Sequence, residues 1–337
     1  MIRIPLDVMQ DVLGRTLAQV GFEEERAFRC ASIFVENSAV GVSSHGLNRF
    51  PQFVDFVRRG IVDPTAAISC VARLGAWEQW DGHLGPGPLN AFDATQRAMA
   101  LARQYGIGCV GLKQTNHWMR GGYYGWMAAE AGLALMAWTN TTPNMPPWGA
   151  RGCRLGNNPL VLAVPRTTGP VVLDMAMSQF SHGRLDNTLR EGRALPVPGG
   201  YDTNGQLTTD PGDILRSQRV LPIGFWKGAG LSLLLDSWAA LVSGGDATCR
   251  IGSREPEYGV SQVYIAVDVA RIGGEETVEG VMEAIVADLH AAQAGEGDAG
   301  VRYPGERVSR MRRESVAKGV PVDEAIWERV RAGLQDR

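Results

Sequence analysis

Long apolar runs are missing from this 337-residue chain, and with no stretch of eighteen such residues a membrane-spanning helix is excluded. An excess of one charge is missing too. Lys and Arg number 33 against 36 Asp and Glu, a formal net charge of -3, which argues against a nucleic-acid or anionic-membrane surface. Histidine is scarce: His45, His83, His117, His182 and His290 show no HxxxH or HExxH spacing, so no metal is expected. Cys30, Cys70, Cys109, Cys153 and Cys249 form no CxxC pair. An odd set of thiols, with no signal-peptide core after Met1-Ile2-Arg3-Ile4-Pro5, points to a reducing cytoplasm.

What is present is an ordinary globular composition, 45% hydrophobic and 20% charged, at a length that predicts two domains. The first sixty residues read as helical. Leu6, Met9, Leu13, Leu17 and Val20 recur at helix spacing up to Gly21, and a second helix follows from Glu23. From about residue 66 short β-rich runs alternate with helical segments. Strands are predicted over 67–72, 107–113, 133–139, 159–164, 171–175 and 260–267. Helices are predicted over 89–105, 121–131, 231–242, 278–292, 306–318 and 323–335. Residues 196–210 read as a surface loop or hairpin, and 294–300 as a flexible crossing.

Ser44-His45-Gly46-Leu47-Asn48-Arg49-Phe50-Pro51 carries the strongest chemistry. Continued as helix, it sets His45 and Arg49 on one face. Arg holds a carboxylate bidentately and His delivers a proton near neutral pH, a pairing suited to reducing a ketone beside a carboxylate. The bland alternative is a helix end with a solvated Arg. Gly106-Ile107-Gly108-Cys109-Val110-Gly111 matches GxGxxG, but a helix precedes it and a strand follows, the reverse of the dinucleotide context. A helix C-cap explains it better.

Other candidates follow predicted strands, where α/β ligands gather. They are Asn116-His117-Trp118-Met119-Arg120 and Asn140-Thr141-Thr142, the latter leading to Trp148. Val171–Ser178 reads as a strand entering a helix start that could offer backbone N–H groups to a phosphate. Phe225-Trp226-Lys227-Gly228-Ala229-Gly230 places a cation and two glycines just before an apolar helix.

These blocks, with MPPWGA, GNNPLVLAVP, VVLDMAMSQFSHG, LPIGFWKGAGLSLLLD, EYGVSQ and RYPGE in order, resemble the type II malate/L-lactate dehydrogenase family nearly end to end. The resemblance implies an α/β (α+β) architecture: a non-Rossmann NAD(P)-binding domain with a mixed sheet (71–292), and a mostly helical domain made from both termini (1–70 and 293–337). It implies NADH or NADPH as cofactor, a small-molecule 2-oxo acid substrate and a homodimer. By it, His45 or His117 is the catalytic acid, Arg49 binds the substrate carboxylate, and Arg120 and Asn140 contact substrate. Thr141, Asp174, Met175, Ala176, Trp226, Lys227, Gly305 and Glu306 contact the cofactor. Trp118-Met119-Arg120 favours the branch reducing 2,3-diketo-L-gulonate to 3-keto-L-gulonate. Malate/lactate-type dehydrogenation and cyclic imino acid reduction are the alternatives within the family, and a sugar-acid lyase or dehydratase the one outside it. His182 and Arg184 leave the NADH or NADPH preference open.

Overall fold

The computed structural model describes residues 2–293, 295 and 300–333. The chain opens with β1 (Ile2–Ile4), α1 (Leu6–Gln19) and α2 (Glu24–Ala39). Met9, Leu13 and Leu17 are fully buried, as their helical spacing requires. The Glu23 carboxylate caps α2 by accepting from the N–H groups of Glu25 and Arg26. Two 3₁₀ turns (Ser43–His45 and Leu47–Arg49) then lead into α3 (Phe50–Arg58).

The central region runs β2 (Ser69–Leu74), β3 (Trp77–Asp81), α4 (Gly87–Tyr105), β4 (Ile107–Thr115), α5 (Gly122–Glu130), β5 (Ala134–Thr139), β6 (Leu160–Val164) and β7 (Val171–Met175). It continues through α6 (His182–Arg190), the hairpin β8 (Gly200–Tyr201) and β9 (Leu207–Thr208), α7 (Pro211–Ser217), α8 (Trp226–Ser243), α9 (Thr248–Ile251) and β10 (Val260–Val267). Last come α10 (Ala270–Gly273), α11 (Glu275–Ala291), α12 (Glu306–Lys318), β11 (Val320–Val322) and α13 (Glu324–Ala332). The crossing expected at 294–300 falls mostly outside the described residues, as does the end of the last predicted helix. No described helix is long and apolar enough to cross a membrane.

A seven-stranded mixed sheet, ordered β2-β3-β4-β10-β5-β6-β7, forms the centre, in agreement with the expected α/β class. Only the β3–β4 pair is parallel. Alternation along β10 feeds two cores: Tyr264 and Ala266 pack with residues of α4 and α5, while Val263 packs with Leu235 and Ala239 of α8. A third core joins the chain ends, because β1 pairs with β11 and Trp327 and Val330 of α13 pack with α1 and α2.

Strand β3 was not expected. Its sequence Trp-Glu-Gln-Trp-Asp lacks a clear alternation, and it buries Glu78, whose carboxylate accepts two bonds from Arg97 of α4 at 2.6 and 2.7 Å. The helix expected to start just after β7 starts instead at His182, capped by Ser181, because Ser178 is drawn into a bridge with Pro222. The polar excursion at 196–210 is the β8–β9 hairpin.

The GxGxxG match is structural, as its context implied. Gly106 caps α4 at φ +90°. A Cβ at Gly108 would lie 2.2 Å from the Ala98 carbonyl of α4, and one at Gly111 would lie 2.5 Å from the Val242 carbonyl of α8. These glycines let helices approach β4 from both faces. Gly108→Ala is therefore expected to lower stability by about 1–3 kcal/mol in a denaturant titration. Nucleotide affinity should be unchanged, and a loss confined to nucleotide binding would restore the phosphate reading.

Candidate active site

The helix expected across Ser44–Pro51 is interrupted at Gly46, which adopts φ -110°, ψ -129° between the two 3₁₀ turns. Close approach to α2 is the cause. A Cβ on Gly46 would sit 2.2 Å from Ser38 Oγ. Ser38 Oγ accepts from Leu47 N–H at 2.9 Å, and Asn37 Nδ2 donates to the His45 carbonyl at 3.0 Å. His45 and Arg49 therefore do not share an α-helical face. They meet around a third residue: the His45 ring stacks on His117 with centroids 5.6 Å apart, and Arg49 lines a narrow cavity with His117.

His117 follows β4. Asn116 beside it donates through Nδ2 to the carbonyls of Leu84 (2.7 Å) and Gly85 (3.0 Å), fixing the loop. Met119 N–H donates to His117 Nδ1 at 3.0 Å, so the neutral ring carries its proton on Nε2. Each ring keeps a narrow opening, but most of the volume around it is protein. Desolvation accordingly pushes the pKa of His117 well below the usual histidine value, reinforced by the Arg49 and His45 charges. His45 is also lowered by burial, but the Asp174 carboxylate opposes this by favouring its charged form, against Arg49 and Arg120.

Among the described residues the Arg49 guanidinium has neither hydrogen bond nor ion pair, although Arg49 N–H donates to the Gly46 carbonyl at 3.0 Å. Burial lowers its pKa, and the Glu257 carboxylate opposes that shift. Glu257, the first residue of the EYGVSQ block, carries no sequence signal of a site role. Its Oε2 accepts from Thr142 N–H (2.7 Å) and Thr142 Oγ1 (3.0 Å), and its side chain lines the Arg49–His117 cavity. Burial raises its pKa, while Thr142 and Arg49 pull it down.

Arg120 is 7% exposed, and its guanidinium is also without a hydrogen bond or ion pair among the described residues. Asp174, at the end of β7, accepts from Gly122 N–H at 2.7 Å, and a Cβ on Gly122 would lie 3.1 Å from Arg120 Nη2. The Arg-Gly-Gly sequence thus brings a guanidinium close to Asp174. Asn140 is fully buried. Its Nδ2 donates to Asp236 Oδ1 (2.9 Å) and the Asp246 carbonyl (2.8 Å), and its Oδ1 accepts from Ser261 N–H (2.8 Å), so its amide is engaged within the protein. Thr141 N–H donates to Asn158 Oδ1 at 3.1 Å.

Met175 pairs with Leu160, and Ala176 follows it half-buried. Gly305, at φ +95°, lies against Val172 of β7, while Glu306 Oε2 stands 3.5 Å from His290 Nε2. Trp226 and Lys227 form the exposed first turn of α8. No hydrogen bond, ion pair or ring contact joins them to the His45 cluster among the described residues. Gly183 of α6 packs close to Ser44, bringing the His182–Arg184 turn beside His45, which sequence spacing did not reveal.

A model of the malate/L-lactate dehydrogenase family matches residues 4–331. The chain belongs to this family. It is 41% identical over 331 residues to the 2,3-diketo-L-gulonate reductase of Pasteurella multocida, covering 98% of this chain and 99% of that one. Sulfolactate dehydrogenase from Methanocaldococcus jannaschii superposes with a TM-score of 0.91 at 26% identity, covering 99% and 97% of the two chains. Delta1-piperideine-2-carboxylate reductase from Pseudomonas syringae superposes with a TM-score of 0.87 at 28% identity, covering 99% and 100%. Membership makes this protein an oxidoreductase of a nicotinamide-dependent family. The residues present fit such a cofactor: Arg120 is a buried, unpaired cation near the end of β7, on a cavity of about 650 Å³ lined by Tyr123 and Trp126. The Trp126 Nε1 is buried without an acceptor. Among the described residues no group of three His, Cys, Asp or Glu could hold a metal ion.

Because the folded pKa values of His45, His117 and His182 all lie below the histidine reference of 6.5, the unfolded chain takes up protons that the folded one refuses. Their contribution to stability is present above that value and lost as pH falls through and below it. The melting temperature of His117→Gln should therefore fall less than that of the native chain between pH 7.5 and 5.5. Equal falls would show that His117 is not held neutral.

Proposed function

We propose that this protein is an NADH- or NADPH-dependent reductase of 2-oxo sugar acids, converting 2,3-diketo-L-gulonate to 3-keto-L-gulonate. The observation that carries the reading is the unpaired Arg49 guanidinium sharing a cavity with His117, against which His45 stacks. The 2,3-diketo-L-gulonate reductases of Pasteurella multocida and Klebsiella pneumoniae, 41% and 40% identical over 331 residues, give the substrate class.

When bound, the nicotinamide supplies a hydride to the carbonyl carbon. Every other task falls to the chain. Arg49 grips the carboxylate and fixes which carbonyl is presented. His117, kept neutral with its proton on Nε2, donates a hydrogen bond to the carbonyl oxygen as negative charge develops. His45 gives that oxygen its proton; burial lowers the pKa of His45, and the Asp174 carboxylate opposes that shift. This assigns the acid role to His45 and an orienting role to His117. Arg120 contacts a further substrate oxygen or a phosphate. Asn140 serves through the backbone it braces, given its three internal bonds.

Asp174, Met175, Ala176, Thr141, Gly305 and Glu306 hold the cofactor in this reading, with Trp226 and Lys227 contributing from the start of α8. The division into a helical part (1–70 with 293–337) and an α/β part (71–292) belongs to the same reading, as does a cytoplasmic location, with which five free cysteines agree. A homodimer is supported by the apolar side of α8, where Leu234, Trp238 and Leu241 are 59%, 55% and 75% exposed at helical spacing. Leu241→Glu is expected to lower the mass seen by sedimentation from dimer to monomer, and a monomeric native protein overturns the assignment.

Oxidation of NADH and NADPH with diketogulonate, pyruvate, oxaloacetate and piperideine-2-carboxylate tests the function directly. His45→Ala should cost about 10²–10⁴-fold in kcat, and near-native turnover would move the acid role to His117. Arg49→Lys keeps the charge but loses the planar fork, so kcat/KM should fall roughly ten- to a hundredfold at unchanged Tm. Full activity would remove Arg49 from the substrate site.

A further inference from the structure

Glu257 is an acidic group that the reduction itself leaves without a task. It sits in the loop before β10, and both Thr142 donors reach the same oxygen, Oε2, at 2.7 and 3.0 Å. Oε1 has no partner among the described residues. The carboxylate lines the Arg49–His117 cavity together with Gln52, and no ion pair links it to Arg49. The cavity therefore has one anion-binding wall and one wall that repels anions. Thr142 anchors the repelling wall to the end of β5, so the carboxylate is fixed in place.

We propose that Glu257 is a specificity-determining residue: its free Oε1 accepts a hydrogen bond from a hydroxyl of the substrate, selecting hydroxylated monocarboxylic 2-oxo acids over dicarboxylic ones. The proposal rests on the reading of Arg49 as the carboxylate clamp. With the first carboxylate on Arg49 and the keto oxygen at the histidines, the remainder of the substrate faces Glu257 and Gln52. A hydroxyl there makes a charge-assisted bond. A methyl group leaves the carboxylate oxygen unpaired, which a polar site discriminates against strongly. A second carboxylate meets like charge in a narrow, poorly solvated space and is rejected. Pairing with a substrate hydroxyl also completes the bonding of a group whose other oxygen is already engaged.

Glu257→Gln is the test, since it removes the charge while leaving an acceptor for Thr142. Reduction of 2,3-diketo-L-gulonate, pyruvate and oxaloacetate is compared between the native protein and the variant. For diketogulonate kcat/KM should fall about ten- to a hundredfold, the range of one charge-assisted hydrogen bond. For pyruvate it should hold within about threefold, and for oxaloacetate it should rise, since like-charge repulsion is relieved. Equal losses for all three substrates overturn the proposal, because Glu257 would then act only through Arg49 or the fold. Native protein alone also decides: reduction of oxaloacetate as efficiently as diketogulonate overturns the proposal even if the variant does not fold. No turnover of any 2-oxo acid, or a fully active Arg49→Lys, instead removes the reading on which it rests.

Discussion

The site depends on the antiparallel placement of β10 between β4 and β5. Because β10 runs against both neighbours, its beginning lies at the sheet edge where β4 and β5 end. Strand β6 reverses again and β7 returns, so β7 ends at that same edge. His117 and Arg120 after β4, Thr142 after β5, Asp174 at the end of β7 and Glu257 before β10 converge for this single topological reason. Asn140 ties the arrangement down by bonding β10 at Ser261 and the turn after α8 at Asp246.

Onto this edge the N-terminal helices lay a strap. Gly46 is drawn so close to Ser38 that no side chain fits, and α2 thereby holds His45 by its own carbonyl. The catalytic pair in our reading is thus assembled from two layers with separate cores, and its geometry rests on the hydrogen bonds of Ser38 and Asn37 rather than on helical periodicity.

Electrostatically, the site is unfinished without a ligand. Arg49 and Arg120 are desolvated and unpaired, and Glu257 has one oxygen to spare. Buried charges without partners oppose folding, and native proteins keep them chiefly where a ligand completes them. The two histidines share this environment and diverge within it. Met119 N–H holds His117 in one neutral tautomer, whereas at His45 burial lowers the pKa and the Asp174 carboxylate opposes that shift.

Much of the fold was legible in residue patterns. Apolar spacing located α1 and α2, and the bounds of β7, β10 and α12 coincide with those expected, because local periodicity and glycine stops act over a few residues. The failure of GxGxxG was legible as well, since the order of helix and strand around it is local. His45, Arg49, His117, Arg120 and Asp174 were all named from the sequence, and tertiary structure gathered them. Only that structure decided the rest. Glu78, buried in β3, is neutralised by Arg97, nineteen residues away. Gly46 breaks a helix because of Ser38, Ser178 delays one because of Pro222, and Glu257 gains its position from Thr142, 115 residues distant. Each depends on a partner brought close by the packed sheet, and no local pattern encodes that proximity.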